Sequence, residues 1–273
     1  MNGRKKYEKL QERLRELTRR DVCLAFSGGV DSALLLVMAS MAAGENKTNL
    51  LAVTFDTELH PRADIQLAAE LASEAGAEHV ILAVRELDNP EILDNPPQRC
   101  YICKRYLFEK LCDLAHERGI STILEGTNAD DLSQYRPGLR AVRELGIYSP
   151  LSECGITKEE VRSFSEKLGI SVAKRPSTPC MATRLPYGTR ITQELLSRIE
   201  KGEEFIRSRG YRNVRLRIHG SVARIEIDRE DIVCAAAEAE LLAKKIKELG
   251  FDYVTLDLAG FRSGSMDEKI ISG

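Results

Sequence analysis

An α/β fold, a doubly wound parallel sheet followed by a smaller C-terminal α+β domain, is predicted for this 273-residue chain by three observations. Continuous apolar runs alternate with helically periodic stretches through the first half. A glycine-rich hexapeptide separates the first run from the helix after it. Past a proline-rich stretch near residue 180 the order becomes helix, two strands, helix, strand. Strands that are apolar throughout are covered on both faces, which is the signature of a parallel sheet between two helical layers.

The first twenty residues mix Lys, Arg and Glu around Tyr7, Leu10, Leu14 and Leu17, and predict an amphipathic surface helix. Residues 22–26 form the first strand. Ser27-Gly28-Gly29-Val30-Asp31-Ser32 follows as a phosphate loop, with a helix over 33–43. Two glycines let the backbone approach an anion closely, and unpaired N–H groups at the helix start attract it. The loop lacks the lysine of GxxxxGK[ST], so pyrophosphate is the expected ligand rather than a γ-phosphoryl group in transfer. Asp31 is the acid placed to help hold Mg²⁺.

Further strands are predicted at 50–55, 80–84 and 122–124, alternating with helices at 62–76 and after Cys103. Ligands gather beyond the carboxyl ends of such strands, so Asp56 and Gly126-Thr127-Asn128 are expected to join residues 27–32 around one nucleotide. Asp130 and Asp131 are either a solvated turn or acids near magnesium and ATP. Thr157-x-x-Glu160 is a capping box, and Gly169 ends the helix it opens. Residues 174–190 hold three prolines and a cysteine, and predict an extended loop at the domain boundary: a nucleotide domain over 1–185, and over 186–273 a domain for substrate binding or oligomerisation. That second domain reads as a helix at 193–209, strands at 214–218 and 223–227, a helix at 230–249, a strand at 253–258 and a final loop at 260–265.

A hydrophobic content of 43% supports a sizeable core, and a net charge of −2 gives no bulk electrostatic case for nucleic acid or an anionic membrane. A small-molecule substrate is expected. No apolar run approaches the ~20 residues of a membrane span, and the chain start has no apolar secretory core, so a cytoplasmic location is expected. Seven cysteines in that context are core thiols, catalytic thiols or metal ligands before they are disulfides.

Cys100-Tyr101-Ile102-Cys103, just ahead of a helical run, places two thiols on neighbouring sides of a turn. A redox pair, half a zinc site, cluster ligands and packing cysteines all fit this pattern. Zinc is disfavoured, because the histidines at 60, 79, 116 and 219 are scattered. Cys180, in the run RPSTPCMATRLPYG at 175–188, is the candidate third ligand. Cys23, Cys112, Cys154 and Cys234 read as packing residues. Glu204 and Glu226 are weighed as ligands of a further metal against ordinary surface acids.

The hexapeptide SGGVDS resembles the pyrophosphate loop of the PP-loop ATP pyrophosphatase superfamily, whose adenine nucleotide alpha hydrolase-like members cleave ATP to AMP and pyrophosphate. The segment CMATRLPYG at 180–188 is similar to the LarE family, the ATP-dependent sulfur transferases of nickel-pincer nucleotide biosynthesis, and the likeness runs from residue 21 to residue 262. This resemblance implies ATP and Mg²⁺ as cofactors. It implies adenylation of the carboxylates of pyridinium-3,5-biscarboxylic acid mononucleotide, then their conversion to thiocarboxylates. In one branch of the family a lone loop cysteine surrenders its own sulfur; in the other, three cysteines hold a [4Fe-4S] cluster. Cys100, Cys103 and Cys180 imply the cluster branch, with Cys180 and Asp31 as catalytic residues and a sacrificial Cys180 as the rival.

A substrate bearing a phosphate and two carboxylates implies cationic partners, for which Arg184, Arg215, Arg217 and Arg262 with Ser263 are the candidates. The family link also implies self-association; the sulfide donor is open. Alternatives are a tRNA thiolation enzyme, which calls for a basic face, an amidotransferase-type synthetase, which has no use for Cys180, and a non-catalytic ATP sensor.

Overall fold

Four strands, β1 (Val22–Ala25), β2 (Leu50–Asp56), β3 (Glu78–Ala83) and β4 (Thr122–Leu124), pair in parallel in the order β3-β2-β1-β4. The computed structural model describes residues 3–60, 62–134, 136–175 and 179–262. Packing groups the chain into two units, Met1–Glu86 with Gln98–Thr178 and Leu87–Pro97 with Pro179–Gly273.

In the first unit the sheet lies between two layers: α1 (Gly3–Leu17), α2 (Val30–Asn46) and α3 (Arg62–Glu74), joined by Leu151, Val161 and Phe164 of later helices, cover one face, and the helices that carry Leu107 and Val142 cover the other. After α4 (Pro90–Leu93), which groups with the second unit, come α5 (Arg99–Glu117), α6 (Gly138–Glu144), α7 (Pro150–Glu153) and α8 (Lys158–Lys167). Strand residues alternate between the layers as a pleat requires. Val22, Leu24, Leu50 and Ala52 pack with Leu10, Leu14, Leu34 and Phe164, while Cys23, Leu51 and Val53 pack with Leu107, Phe108 and Leu111 of α5. Both faces of β1 and β2 are buried, which is why their sequences are apolar without a break. From β1 the chain moves outward to β2 and β3, then crosses back to β4. Strand order therefore reverses between β1 and β4, the position where such sheets open a ligand crevice.

The capping box is present: Thr157 Oγ1 accepts from Glu160 N and the Glu160 carboxylate accepts from Thr157 N. One expectation needs correction. The C-x-x-C pair does not precede its helix but lies within the first five residues of α5.

The second unit carries a three-stranded sheet, β5 (Arg215–His219), β6 (Val222–Glu226) and β7 (Tyr253–Leu256), with α9 (Gln193–Ser208) before it. The hairpin β5–β6 is antiparallel and turns through Gly220 at φ +63°, whereas β7 runs parallel to β6. Gly202 brings α9 so near the sheet that a Cβ there would lie 2.5 Å from Leu216 Cδ2. The helix expected over 230–249 is broken at Glu238 (φ −96°, ψ 15°) into α10 (Ile232–Ala237) and α11 (Ala239–Glu248). Residues 87–97 join this unit through Asn95, whose side-chain amide donates to the carbonyls of Leu185 (3.0 Å) and Pro186 (2.9 Å). No helix among the described residues is long and apolar enough to cross a membrane.

Candidate functional site

The phosphate loop leaves β1 and enters α2, with Gly29 at the cap and Val30, Asp31 and Ser32 in the first turn. Gly28 has φ +69°, and a Cβ there would sit 3.3 Å from the Asp64 carbonyl oxygen, so the position requires glycine on two counts. Ser32 Oγ donates to the Gly29 carbonyl (3.0 Å) and accepts from Ser27 N (3.3 Å), while Ser27 Oγ accepts from Gly29 N (3.4 Å). The two serines fold the loop back on itself. Gly126, beyond β4, lies against the same turn: an added Cβ would be 3.1 Å from Ser32 N. Thr127 and Asn128 continue from it, and Asn128 Nδ2 donates to Asp31 Oδ1 at 3.1 Å. Residues 27–32 and 126–128 thus meet at the switch point, and Asp56 closes β2, the neighbour of β1, at the same sheet edge.

Asp31 is held by Asn128 and by an ion pair from Lys158 Nζ, at the start of α8. Lys158 was not singled out by sequence, because it lies 127 residues from Asp31. It places beside the loop the positive charge that the hexapeptide itself lacks. Asp130 and Asp131 are not a solvated turn. Asp130 accepts from Lys158 N (2.8 Å), and buried Asp131 accepts from Asn128 N (3.1 Å) and pairs with Arg136 (2.8 Å).

Cys100 and Cys103 stand three residues apart near the start of α5, so both thiols project from one side of the helix. Cys100 is exposed and its Sγ accepts from Arg99 (3.4 Å); Cys103 is buried. Two thiols three residues apart near the start of a helix form a donor pair of the soft type that thiophilic metals take. Lys104, the next residue, pairs at 3.0 Å with Glu125, a buried carboxylate at the end of β4. Burial alone would raise the pKa of Glu125, but Lys104, Ser149 and Thr127 outweigh it and hold the group below its ordinary value. Sequence periodicity gave no sign of Glu125, an acid in an apolar strand end.

Cys180 belongs to the second unit and caps a short 3-10 turn, Met181–Arg184. Its carbonyl accepts from Thr183 N (3.0 Å), Thr183 Oγ1 (2.7 Å) and Arg184 Nη1 (3.1 Å). No disulfide links any of the seven cysteines. Burial pushes the Cys23 thiol up to about 12, with Cys112 adding to the shift, and also raises Cys112 and Cys154, as inert packing thiols require. Among the described residues no group of three or more His, Cys, Asp or Glu side chains is gathered to hold a metal ion.

The arginines sort into different roles. Arg184 is fully buried against Glu203 of α9 and also donates to the carbonyls of Pro179 and Cys180, so it braces the cysteine loop. Arg217 meets Glu226, which also takes Arg224. Glu226 is therefore a buried ion-pair partner, and Glu204 is an exposed residue of α9, one position from the buried acid Glu203. Arg215 lies on the same face of β5 as Arg217, yet no acidic side chain pairs with it among the described residues. Its Nη1 donates to the Val214 carbonyl (2.7 Å) and its guanidinium lies 5.2 Å from the Phe261 ring centre. Burial, then repulsion from Arg184, pushes its pKa down to about 10. Arg262 is exposed, and Ser263 lies outside the described residues.

A model of the PP-loop domain matches residues 3–135. The chain is 35% identical to the pyridinium-3,5-bisthiocarboxylic acid mononucleotide synthase of Lactiplantibacillus plantarum, over 94% of this chain and 92% of that enzyme. The chain belongs to the LarE family of PP-loop proteins. Two further relatives of this LarE chain are uncharacterized proteins of Synechocystis sp., 39% identical over 97% of this chain and 98% of the relative, and of Methanocaldococcus jannaschii, 32% identical over 95% and 98%. As a LarE-family member it is an ATP-dependent sulfurtransferase of the PP-loop class.

Proposed function

We propose that this enzyme adenylates the carboxylates of pyridinium-3,5-biscarboxylic acid mononucleotide and converts them to thiocarboxylates, in nickel-pincer nucleotide biosynthesis. A carboxylate oxygen attacks the α-phosphorus of ATP and pyrophosphate leaves. A sulfur nucleophile then attacks the acyl carbon, and AMP departs with the electron pair of the broken C–O bond. The order follows from chemistry, since an anionic carboxylate offers sulfur no leaving group and an acyl-adenylate does.

In this account residues 27–32 and 126–127 hold the pyrophosphate end, Lys158 supplies charge beside it, and Asp31, with Asp56 near the same edge, serves Mg²⁺. Arg215 is the principal substrate cation, because a buried arginine with no acidic partner among the described residues is stabilised by an arriving phosphate or carboxylate. Arg217 and Arg262, with Ser263, extend that anion site. Cys100, Cys103 and Cys180 would hold a [4Fe-4S] cluster, and the two thiols on one turn of α5 fit that donor set. When bound, a three-cysteine cluster supplies an iron with an open position from which sulfur is delivered. The chain acts in the cytoplasm as a self-associating enzyme.

The observation that carries this function is the lysine-free SGGVDS loop at the switch point of a chain similar to the L. plantarum synthase over nearly its whole length. Incubation with ATP, Mg²⁺ and the biscarboxylic mononucleotide should release pyrophosphate and yield the thiocarboxylate, identified by mass. ATP binding without pyrophosphate release would leave only a sensor, and release that depends on RNA would point to tRNA thiolation.

A further inference from the structure

One buried carboxylate joins the nucleotide loop to the thiol turn. Glu125 Oε1 accepts from Thr127 N (3.0 Å) and from Ser149 Oγ, while Oε2 accepts from Lys104 Nζ (3.0 Å). Thr127 follows Gly126, which abuts Ser32 of the phosphate loop. Lys104 follows Cys103. The thiol turn is held from its other side by α6. A Cβ on Gly138 would lie 3.2 Å from the Cys100 carbonyl oxygen and 3.0 Å from Lys104 Cδ; Tyr101 donates to Glu144 (2.6 Å), and Arg140 stacks 3.5 Å from the Tyr101 ring centre. Glu125 is buried and Lys104 half-buried, and a carboxylate taken out of water is a costly way to fill space, since an apolar side chain of similar volume is often at least as stable, so its use here argues for position rather than stability.

We propose that Lys104 and Glu125 are positioning residues that keep the C-x-x-C turn in register with the nucleotide loop, so that sulfur delivery stays coupled to adenylation. This rests on the function proposed above. The two carboxylate oxygens of Glu125 act on different neighbours, Oε1 on the nucleotide loop and Oε2 on the thiol turn. Loss of Lys104 therefore acts first on the thiol side and leaves the Oε1 contact to Thr127 N in place, whereas loss of Glu125 removes both contacts.

The test uses the full chain with Lys104→Met, Lys104→Arg and Glu125→Ala. Lys104→Met should release pyrophosphate at close to the wild-type rate while thiocarboxylate formed per pyrophosphate falls about tenfold or more, because small misplacements of a reacting group carry penalties of that order. Lys104→Arg should restore most of the ratio, and Glu125→Ala should lower pyrophosphate release as well. In metal-free protein, iodoacetamide should alkylate buried Cys103 several-fold faster in Lys104→Met than in wild type. An unchanged product ratio with unchanged Cys103 alkylation would overturn the inference. So would a parallel fall of both products with a lowered thermal midpoint, which marks a merely structural pair. A wild type that forms neither product would refute the proposed function, and the alkylation rates would still decide the positioning role.

Discussion

Arg184 and Glu203 form a two-point ion pair, Nε to Oε1 at 2.8 Å and Nη2 to Oε2 at 3.0 Å, with both side chains shut off from solvent. The remaining Arg184 nitrogen, Nη1, holds the carbonyls of Pro179 and Cys180. A cation four residues from Cys180 thus acts on the protein first. Arg184→Met leaves Glu203 with a buried charge, the Leu216 N–H and, as cation, the outlying Arg207, and should lower stability by about 3–5 kcal/mol. Urea unfolding measures it. The double variant Arg184→Met, Glu203→Leu should recover part of the loss, and a loss below about 1 kcal/mol would place the pair on the level of surface bridges.

Acid should unfold the chain through its buried carboxylates. Burial would raise the pKa of Glu203, but Arg184, Leu216 N and Arg207 hold it below the ordinary value, and Glu125 is depressed in the same sense. The unfolded chain then binds more protons, so these groups add stability fully above the ordinary carboxyl value of 4.5 and lose it as pH falls through their lower folded values. Unfolding midpoints should be flat near neutrality and fall below about pH 4.5. Glu203→Gln should flatten that acid limb; an unchanged limb counts against the assignment.

Arg215 and Arg217 occupy one face of β5 and should behave oppositely. Arg215→Met removes a buried cation that has no acidic partner among the described residues, so stability should hold or rise while KM for the mononucleotide increases about tenfold or more, the scale of a lost charge-assisted contact. Arg217→Met strands Glu226 with Arg224 alone and should destabilise. Melting curves and substrate titrations on both variants separate the roles, and equal melting losses would remove the distinction.

Lys158 supplies charge beside the phosphate loop from the start of α8. Lys158→Met should weaken binding of inorganic pyrophosphate with Mg²⁺ by about tenfold and leave AMP binding nearly unchanged, while Lys158→Arg recovers most of it. Calorimetric titration with the two ligands checks this. Equal weakening of both would mark a general disturbance of the loop.

The sheet, its two-sided burial and the loop at its switch point were legible because each is local: alternating cover at Val22, Cys23 and Leu24, positive φ at Gly28, a capping box at Thr157. The arginines were legible as cations but not as partners. Whether Arg184 faces a ligand or Glu203 depends on α9, where the buried acid is Glu203 and its exposed neighbour Glu204 looks identical in sequence. Lys158 and Glu125 were missed for the same reason, since a charge acquires its role from contacts distant along the chain. The break at Glu238 carried no proline or glycine to announce it.

The central claim, three thiols serving sulfur delivery to an adenylated substrate, is tested most directly by anaerobic purification with iron and acid-labile sulfide measured in wild type and in Cys100→Ala, Cys103→Ala and Cys180→Ala. Iron and sulfide in wild type, lost in all three variants, is the predicted result. Iron unchanged in all three, or an iron-free wild type in which only Cys180→Ala abolishes thiocarboxylate formation, would contradict it.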